Sequence, residues 1–431
     1  MEPMKILMFG WEFPPHISGG LGTACYGLTK GLSGIQDVEV IFVVPKIWGD
    51  EDQSNITLIG AGQVPVIRKQ FEFADAESKM EYYEIQSGLI PYLGTNEFYE
   101  LKSNGTSGEK RLVEITSEGK IIFEGDYGRT LFQEIQYYAL VAEVIASELE
   151  FDVIHIHDWM TFPAGLAARK MSGKPLVVHV HSTEFDRSGQ HVNPEICALE
   201  KEGLVAADQI IAVSNFTRDM ILYHYHIQPE KVFTVYNAVE PLSPEKKPKR
   251  NKASALKTVT FLGRITMQKG PEYFVEAANL VIQKRKDVRF VMAGKGDLRD
   301  SMLKRAAELN INGYFEFPGF LEDKQVTELF RLSDVFVMPS VSEPFGIVAL
   351  EAMQEGVPVV ISRQSGVSEI LKNAVQVDYW DVQSMADAIF NILDDSTFGS
   401  TLGKNGKKEV KKLLWIDSAL KIREIYRSFF E

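Results

Sequence analysis

The chain has 431 residues, 45% hydrophobic and 24% charged, which excludes a disordered or fibrous protein and calls for two domains of about 200 residues each. Asp and Glu outnumber Lys and Arg, 59 to 46, and the formal charge of −13 argues against broad binding to nucleic acid or anionic membrane while leaving room for a local basic site. Cys25 and Cys197 are the only cysteines, so no disulfide framework is needed and a reducing cytoplasm is the expected location.

The N-terminus MEPMKILMFG enters a strand at once, without the basic, apolar and cleavage regions of a signal peptide, and no apolar run approaches 18 residues. Buried strands are predicted over Lys5 to Phe9, Val38 to Val44, Val153 to Ile156, Pro175 to Val180 and Gln209 to Val213, and helical spacing of apolar residues predicts a helix over Leu131 to Leu149. Between Gly49 and Tyr127 the periodicity is poor. That stretch reads as an insertion, whose aromatic residues Tyr82, Tyr83, Tyr92, Phe98 and Tyr99 either stack on sugars or pack it down. A basic, proline-containing segment from Pro241 to Lys257 reads as a linker. After it come a second series of strands, Thr258 to Leu262, Val288 to Ala293, Tyr314 to Phe317, Val335 to Met338 and Val357 to Ile361, and a last amphipathic helix, WIDSALKIREIYRSFF.

Continuous β-branched runs joined by helix-length segments indicate parallel sheets covered on both faces. The expected fold class is therefore α/β, with two doubly wound, Rossmann-like domains facing across a cleft. The boundaries are 1–240 with an insertion at about 50–127, a linker at 241–257, a second domain at 258–412, and a terminal helix at 413–431. Ligands in such folds bind beyond the carboxyl ends of the strands, so the chemistry is expected there.

The segments that follow the strands carry the candidate residues. Gly19, Gly20 and Gly22 precede a helix near Thr23, where glycine lets the backbone approach a phosphate or sugar, although a plain tight turn would use the same residues. His157, Asp158 and Trp159 end one strand, either as acceptor ligands or as a polar turn with a core tryptophan. His155, His157, His179 and His181 alternate along two strands. One member of each pair is expected to face a covering helix layer, and no cysteine joins them, so no metal site is expected. Arg264 and Lys269 occupy a loop that Pro271 closes into a helix, and they are suited to phosphate oxygens. In PSVSEPFGIVALEAMQEG a break at Pro344–Gly346 opens a helix whose free N–H groups, from Phe345, Gly346 and Ile347, would favour a diphosphate. Glu343 and Glu351 flank that spot, either as a helix cap and a solvent-face residue or as partners of sugar hydroxyls, the second of which, with the diphosphate, describes a nucleotide sugar.

The segment from Glu343 to Glu351 resembles the E-x7-E segment of retaining group 1 glycosyltransferases, and the resemblance, densest over Gly263 to Glu369, spans nearly the whole chain. It implies the GT-B architecture, with a terminal helix that crosses back to the N-terminal domain. It places Glu343 on the transferred hexose, Glu351 on the ribose, and Arg264 and Lys269 on the diphosphate. It also places Gly294 and Gly296 under the base, Gly366 and Glu369 near the phosphates, and His181 on the sugar. The N-terminal loop is similar to that of glycogen and starch synthases, with Ile17 where their pattern has lysine; their His-Asp-Trp segment implies acceptor contacts for Asp158 and Trp159. VSNFTR and VYNAVEP resemble further family segments through Ser214, Arg218 and Asn237, with Ala238 in place of glycine. The resemblance implies no metal and no cofactor. Its implied activity is transfer of a hexosyl unit, glucosyl above all, from an ADP- or UDP-sugar to the end of an α-1,4-glucan with retained configuration. Another saccharide or a lipid-linked acceptor stays open, and from other classes so do a nucleotide-sugar epimerase and a non-catalytic sugar-binding protein.

Overall fold

The computed structural model describes residues 3–17, 19–54, 56–66, 116, 119–125, 127–128, 130–241 and 256–431. The aromatic residues between Tyr82 and Tyr99 and most of the linker lie outside them.

The first sheet contains β1 (Met4–Phe9), β2 (Val38–Val44), β3 (Thr57–Gly60), β4 (Val153–His157), β5 (Leu176–Val180), β6 (Gln209–Ala212) and β7 (Val232–Thr234), in the order β3-β2-β1-β4-β5-β6-β7. The second contains β8 (Lys257–Leu262), β9 (Val288–Ala293), β10 (Phe315–Gly319), β11 (Val335–Met338), β12 (Val359–Ser362) and β13 (Val375–Val377), in the order β10-β9-β8-β11-β12-β13. All pairings are parallel, and central strands such as β4, β5 and β11 are buried at every residue, which is why they read as unbroken apolar runs. The strands without a counterpart in the sequence reading, β3, β7 and β13, are three- or four-residue sheet edges. With one hydrogen-bonded neighbour each, they carry too short a pattern to register.

The first sheet is covered by α1 (Gly20–Ser33), α2 (Leu131–Glu148), α3 (Phe162–Ser172), α4 (Glu184–Ser188), α5 (Pro194–Ala206) and α6 (Asn215–Tyr225). The second carries α7 (Pro271–Lys284), α8 (Arg299–Glu308), α9 (Asp323–Leu332), α10 (Ile347–Gln354), α11 (Val382–Asp394) and α12 (Ser396–Val410), and the chain closes with α13 (Trp415–Arg427). This last helix lies against α1. Gly27 and Gly31 leave the groove that Trp415 fills, since a Cβ at either would collide with it, and Tyr426 reaches His155 beneath the sheet surface. Helix starts follow local chemistry: Ser214 caps α6, Thr183 and Asp186 form a capping box on α4, and Pro271 stands in the first turn of α7.

Strand order reverses between β1 and β4 in one sheet and between β8 and β11 in the other. Ligand crevices in such folds open beyond the carboxyl ends at those reversals. Four loops leave there, at 10–19, 158–161, 263–270 and 339–346, and they hold most of the residues singled out from the sequence.

Candidate active site

On the C-terminal side β8 ends at Leu262 and the chain turns through Gly263 at φ 155° into Arg264. Arg264 donates from Nη2 to Gln268 Oε1 at 3.0 Å, and Gln268 O in turn accepts from Val341 N, so the two loops are tied together. Gly270, at φ 63°, is forced by close approach, because a Cβ there would strike Pro339 O. Lys269 Nζ lies 2.7 Å from Glu343 Oε2, which also accepts from Ser340 Oγ at 3.0 Å. Glu343 is 6% exposed, and a carboxylate that buried stays charged only when paired and hydrogen-bonded. One Glu343 oxygen is engaged; the lysine offers three donors and uses one on the glutamate.

Gly346 is left-handed at φ 107° and opens α10, placing the helix start beside Glu343. Phe345 has its side chain in the core and its carbonyl taken by Val367 N at 2.7 Å, and Ile347 is half-buried. Glu351 sits half-buried one turn into α10, and desolvation first, then Asp323, pushes its carboxyl up to about 7. Gly294, at φ 135°, meets Gly263 O, and Gly296 meets Ile265 O, so both glycines let the β8 and β9 loops pass each other closely.

Gly366 and Glu369 make contacts that tie the loops together. The Gly366 amide donates to Glu343 O at 2.9 Å, and a Cβ there would strike Pro344 O and Ser214. Glu369 accepts from Asn215 N at 3.0 Å, Phe216 N at 2.7 Å and the Tyr236 hydroxyl at 2.8 Å. Its carboxylate therefore caps α6 from the opposite domain. Two further contacts join the same loops: Ser214 Oγ donates to Pro344 O at 2.6 Å, and Ser342 Oγ to Asp186 Oδ1 at 2.6 Å. The loop that carries Glu343 is thus held from both sides.

On the N-terminal side, Gly19 and Gly20 have nothing within 4 Å of where a Cβ would lie, at the open start of α1. Gly22 is the sterically required glycine: its amide donates to the buried Glu12 Oε1 at 3.1 Å, and Ile17 packs against it. Asp158 is a buried brace. At φ 58°, its Oδ1 accepts from His181 N at 2.6 Å and Ser182 N at 3.4 Å, and burial above all raises its carboxyl to about 7. Trp159 is 1% exposed, packed against Phe132 in the core, so it presents no stacking face to the cleft. Arg218 serves structure, donating to Val232 O and Pro229 O, and Asn237 is buried.

Histidine placement departs from the sequence reading. All four rings lie together on one side of the sheet, as a period of two requires, under α1 and α13. Cys25 of α1 joins them, contrary to the expectation that no thiol would. His157 Nδ1 and His181 Nε2 are 3.0 Å apart, and burial depresses all four imidazoles, His155 and His181 to about 3. Residues that the sequence reading did not reach include Glu12, Asp186 and Glu200. Glu200 forms with Glu184 a buried cradle for Arg187, which donates to them at 2.6 and 3.2 Å. Only the tertiary structure reveals these partners.

Residues 243–409 match the family described as glycosyl transferases group 1, and residues 105–241 match Glycosyltransferase Family 4. An uncharacterised glycosyltransferase of Methanocaldococcus jannaschii is 29% identical over 99% of both chains. A glycogen synthase of Mycobacterium tuberculosis is 25% identical over 91% of this chain and 86% of its own. Among solved structures, sucrose-phosphate synthase from Thermosynechococcus elongatus superposes with a TM-score of 0.71 at 18% identity, covering 99% of each chain, a likeness of fold that matches the GT-B architecture. No described helix is long and apolar enough to cross a membrane.

Proposed function

We propose that this glycosyltransferase of group 1 moves a hexosyl unit, in the first instance glucosyl, from a nucleoside diphosphate sugar to an acceptor hydroxyl with the anomeric configuration retained. The observation that carries this reading is the part-buried Lys269–Glu343 pair at the start of α10, beside Arg264 and at the strand reversal of the second sheet. Lys269, Arg264 and the helix start disperse charge developing on the leaving diphosphate, an electrostatic effect suited to a preorganised, partly dry crevice. Glu343 orients the hexose through its free lone pairs, and Glu351 meets the ribose. Gly19, Gly20, Gly294 and the backbone around Phe345, Gly346, Ile347 and Gly366 shape the donor crevice. His181, held from behind by Asp158, faces the sugar, and the acceptor hydroxyl attacks from the side the phosphate leaves, which lets a phosphate oxygen take its proton. The residues in these roles need no metal or other cofactor for that step.

For the acceptor, the non-reducing end of an α-1,4-glucan is the first reading, supported by the relative that is a glycogen synthase and by the synthase-like segments around Gly19 and Asp158. Two observations favour a different saccharide or a lipid-linked acceptor as the second reading: Ile17 packs on Gly22 where the synthases hold lysine, and Trp159 is in the core. Nucleoside diphosphate release from ADP-, UDP- and GDP-sugars, with and without glycogen or maltooligosaccharides, separates them. Release that depends on glucan supports the synthase reading. Release indifferent to glucan selects another acceptor, and no release from any donor refutes the transferase reading.

A further inference from the structure

In the proposed reaction Glu343 orients the hexose, and the residue before it reaches across to the first domain. Ser342 Oγ donates to Asp186 Oδ1 of α4 at 2.6 Å, the short distance of a hydroxyl bound to a charged oxygen. Asp186 is 1% exposed, and a carboxylate that buried is stable only when its oxygens are bonded. Oδ2 accepts from Thr183 N at 2.8 Å and Thr183 Oγ1 at 2.7 Å, within its own helix start; Oδ1 accepts from Ser342 alone among the described residues. One buried oxygen of the first domain is therefore satisfied by a hydroxyl of the second.

Asp186 is the fixed member of the pair, because α4 is braced from behind. Arg187 donates to Glu184 at 3.2 Å, to Glu200 at 2.6 Å and to Ser182 O at 3.1 Å, and Glu184 Oε1 accepts from Ser188 Oγ at 2.6 Å. The same segment continues from His181, whose amide and that of Ser182 are held by Asp158. Beyond it Gly189, at φ 58°, lets the chain close on Met267 beside the Lys269 loop, where a Cβ would lie 3.3 Å from Met267 Cε. Ser342 is the looser member, its amide making a long 3.4 Å bond to Gln268 O. Its bond to Asp186 thus fixes the chain entering Glu343, whereas the Gly366 amide and Ser214 hold Glu343 O and the segment after it.

We propose that Asp186 is a positioning residue for the transfer: through Ser342 it draws Glu343 into place beside Lys269, so that the donor-side carboxylate is set only when the segment carrying His181 is docked against it. The proposal rests on the function assigned above and adds to it a link between the donor side and the acceptor side. The role needs no contact of either side chain with substrate. Arg264, Lys269 and the start of α10 meet the diphosphate without passing through Ser342, so the link bears on turnover and leaves donor affinity alone.

The test compares Ser342→Ala, which deletes the hydroxyl, with Ser342→Thr, which keeps it, in the full-length chain. Hydrogen exchange over residues 183–188, followed by mass spectrometry with ADP, UDP and GDP present, is expected to quicken at least about threefold in Ser342→Ala and to keep the wild-type rate in Ser342→Thr. Turnover of the corresponding donor sugars with saccharide acceptors is expected to show kcat lowered about tenfold in Ser342→Ala with donor KM within about twofold, and Ser342→Thr within about threefold of wild type. Adding Asp186→Asn to Ser342→Ala is expected to cost no further kcat, because the two residues act as one pair. Equal exchange in wild type and Ser342→Ala overturns the link. A raised KM with unchanged kcat, or losses that add in the double variant, overturns the positioning role. A wild type that releases nucleoside diphosphate from no donor refutes the function assigned above, and exchange still judges the link by itself.

Discussion

At the carboxyl ends of β8 and β11 the polar groups are charged and paired, Lys269 with Glu343, and the backbone is thinned by Gly263, Gly270, Gly294 and Gly346 so that the loops pass each other closely. At the carboxyl ends of β4 and β5 the polar groups are buried imidazoles held neutral, with His157 bonded to His181, and a carboxyl, Asp158, raised to about 7 and bonded to backbone N–H groups. One half of the cleft presents charge; the other fixes positions. Under the proposed function, that difference gives the leaving diphosphate to the second sheet and the orientation of the incoming groups to the first. The contacts from Glu369, Ser214 and Asp186 connect the two halves.

The largest effect tests the charged half. Glu343→Gln, which keeps shape but removes the charge facing Lys269, is expected to lower kcat/KM by about 10²–10³-fold, and Lys269→Met by a similar factor, in a donor-turnover assay. Equal losses in kcat and kcat/KM would place both groups on the transition state, whereas a rise in KM alone would demote them to ground-state binding.

Next come the connections. Glu369→Gln loses a charge-assisted cap on α6, and Gly366→Ala pushes a methyl group into Pro344 O and Ser214. Each is expected to raise the donor KM by about tenfold, the equivalent of about 1.4 kcal/mol, with circular dichroism unchanged.

A smaller effect tests the neutral half by pH. The histidines are held below their ordinary value near 6.5 by burial, so the unfolded chain binds more protons than the folded one as pH falls below that value. Their contribution is present at neutral pH and is lost on acidification, by up to about 1.4 kcal/mol per pH unit per group. Asp158 runs the other way. Its folded value of about 7 exceeds the unfolded value near 3.9, so its contribution is present at low pH and is lost as pH rises through that window. Asp158→Asn removes the opposing group, and its Tm is expected to fall more steeply than the wild type between pH 7 and pH 5. An unchanged slope would contradict the assignment of that carboxyl.

Stability without turnover separates two kinds of glycine. Gly22→Ala meets Ile17 and Glu12 and is expected to destabilise by about 1–3 kcal/mol. Gly19→Ala meets nothing and is expected to stay within about 0.5 kcal/mol in Tm-derived stability; any loss of donor use in that variant then reports contact with the donor.

Much of this was legible in the sequence because central parallel strands are continuous apolar runs and because the loops that follow them carry glycine, proline and charge at fixed offsets. Lys269 and Glu343, singled out on two such loops, meet at 2.7 Å. Edge strands β3, β7 and β13 escaped because each is three or four residues long. Glu369 could not be read as a cap, since the helix it caps lies 154 residues earlier. For Asp158 and Trp159 the sequence leaves acceptor ligands and a polar turn with a core tryptophan both open, because such a turn looks the same whether its side chains face solvent or core. Cys25 met the histidines only when α1 folded onto the sheet.

Turnover of a nucleotide sugar by wild type and Glu343→Gln side by side, followed as nucleoside diphosphate released from ADP-, UDP- and GDP-sugars with saccharide acceptors present, tests the Lys269–Glu343 pair most directly. Release by the wild type from at least one donor, a loss of about 10²–10³-fold in Glu343→Gln, and an unaltered fold in the variant are expected. Wild-type and variant rates that match would contradict the role given to the Lys269–Glu343 pair.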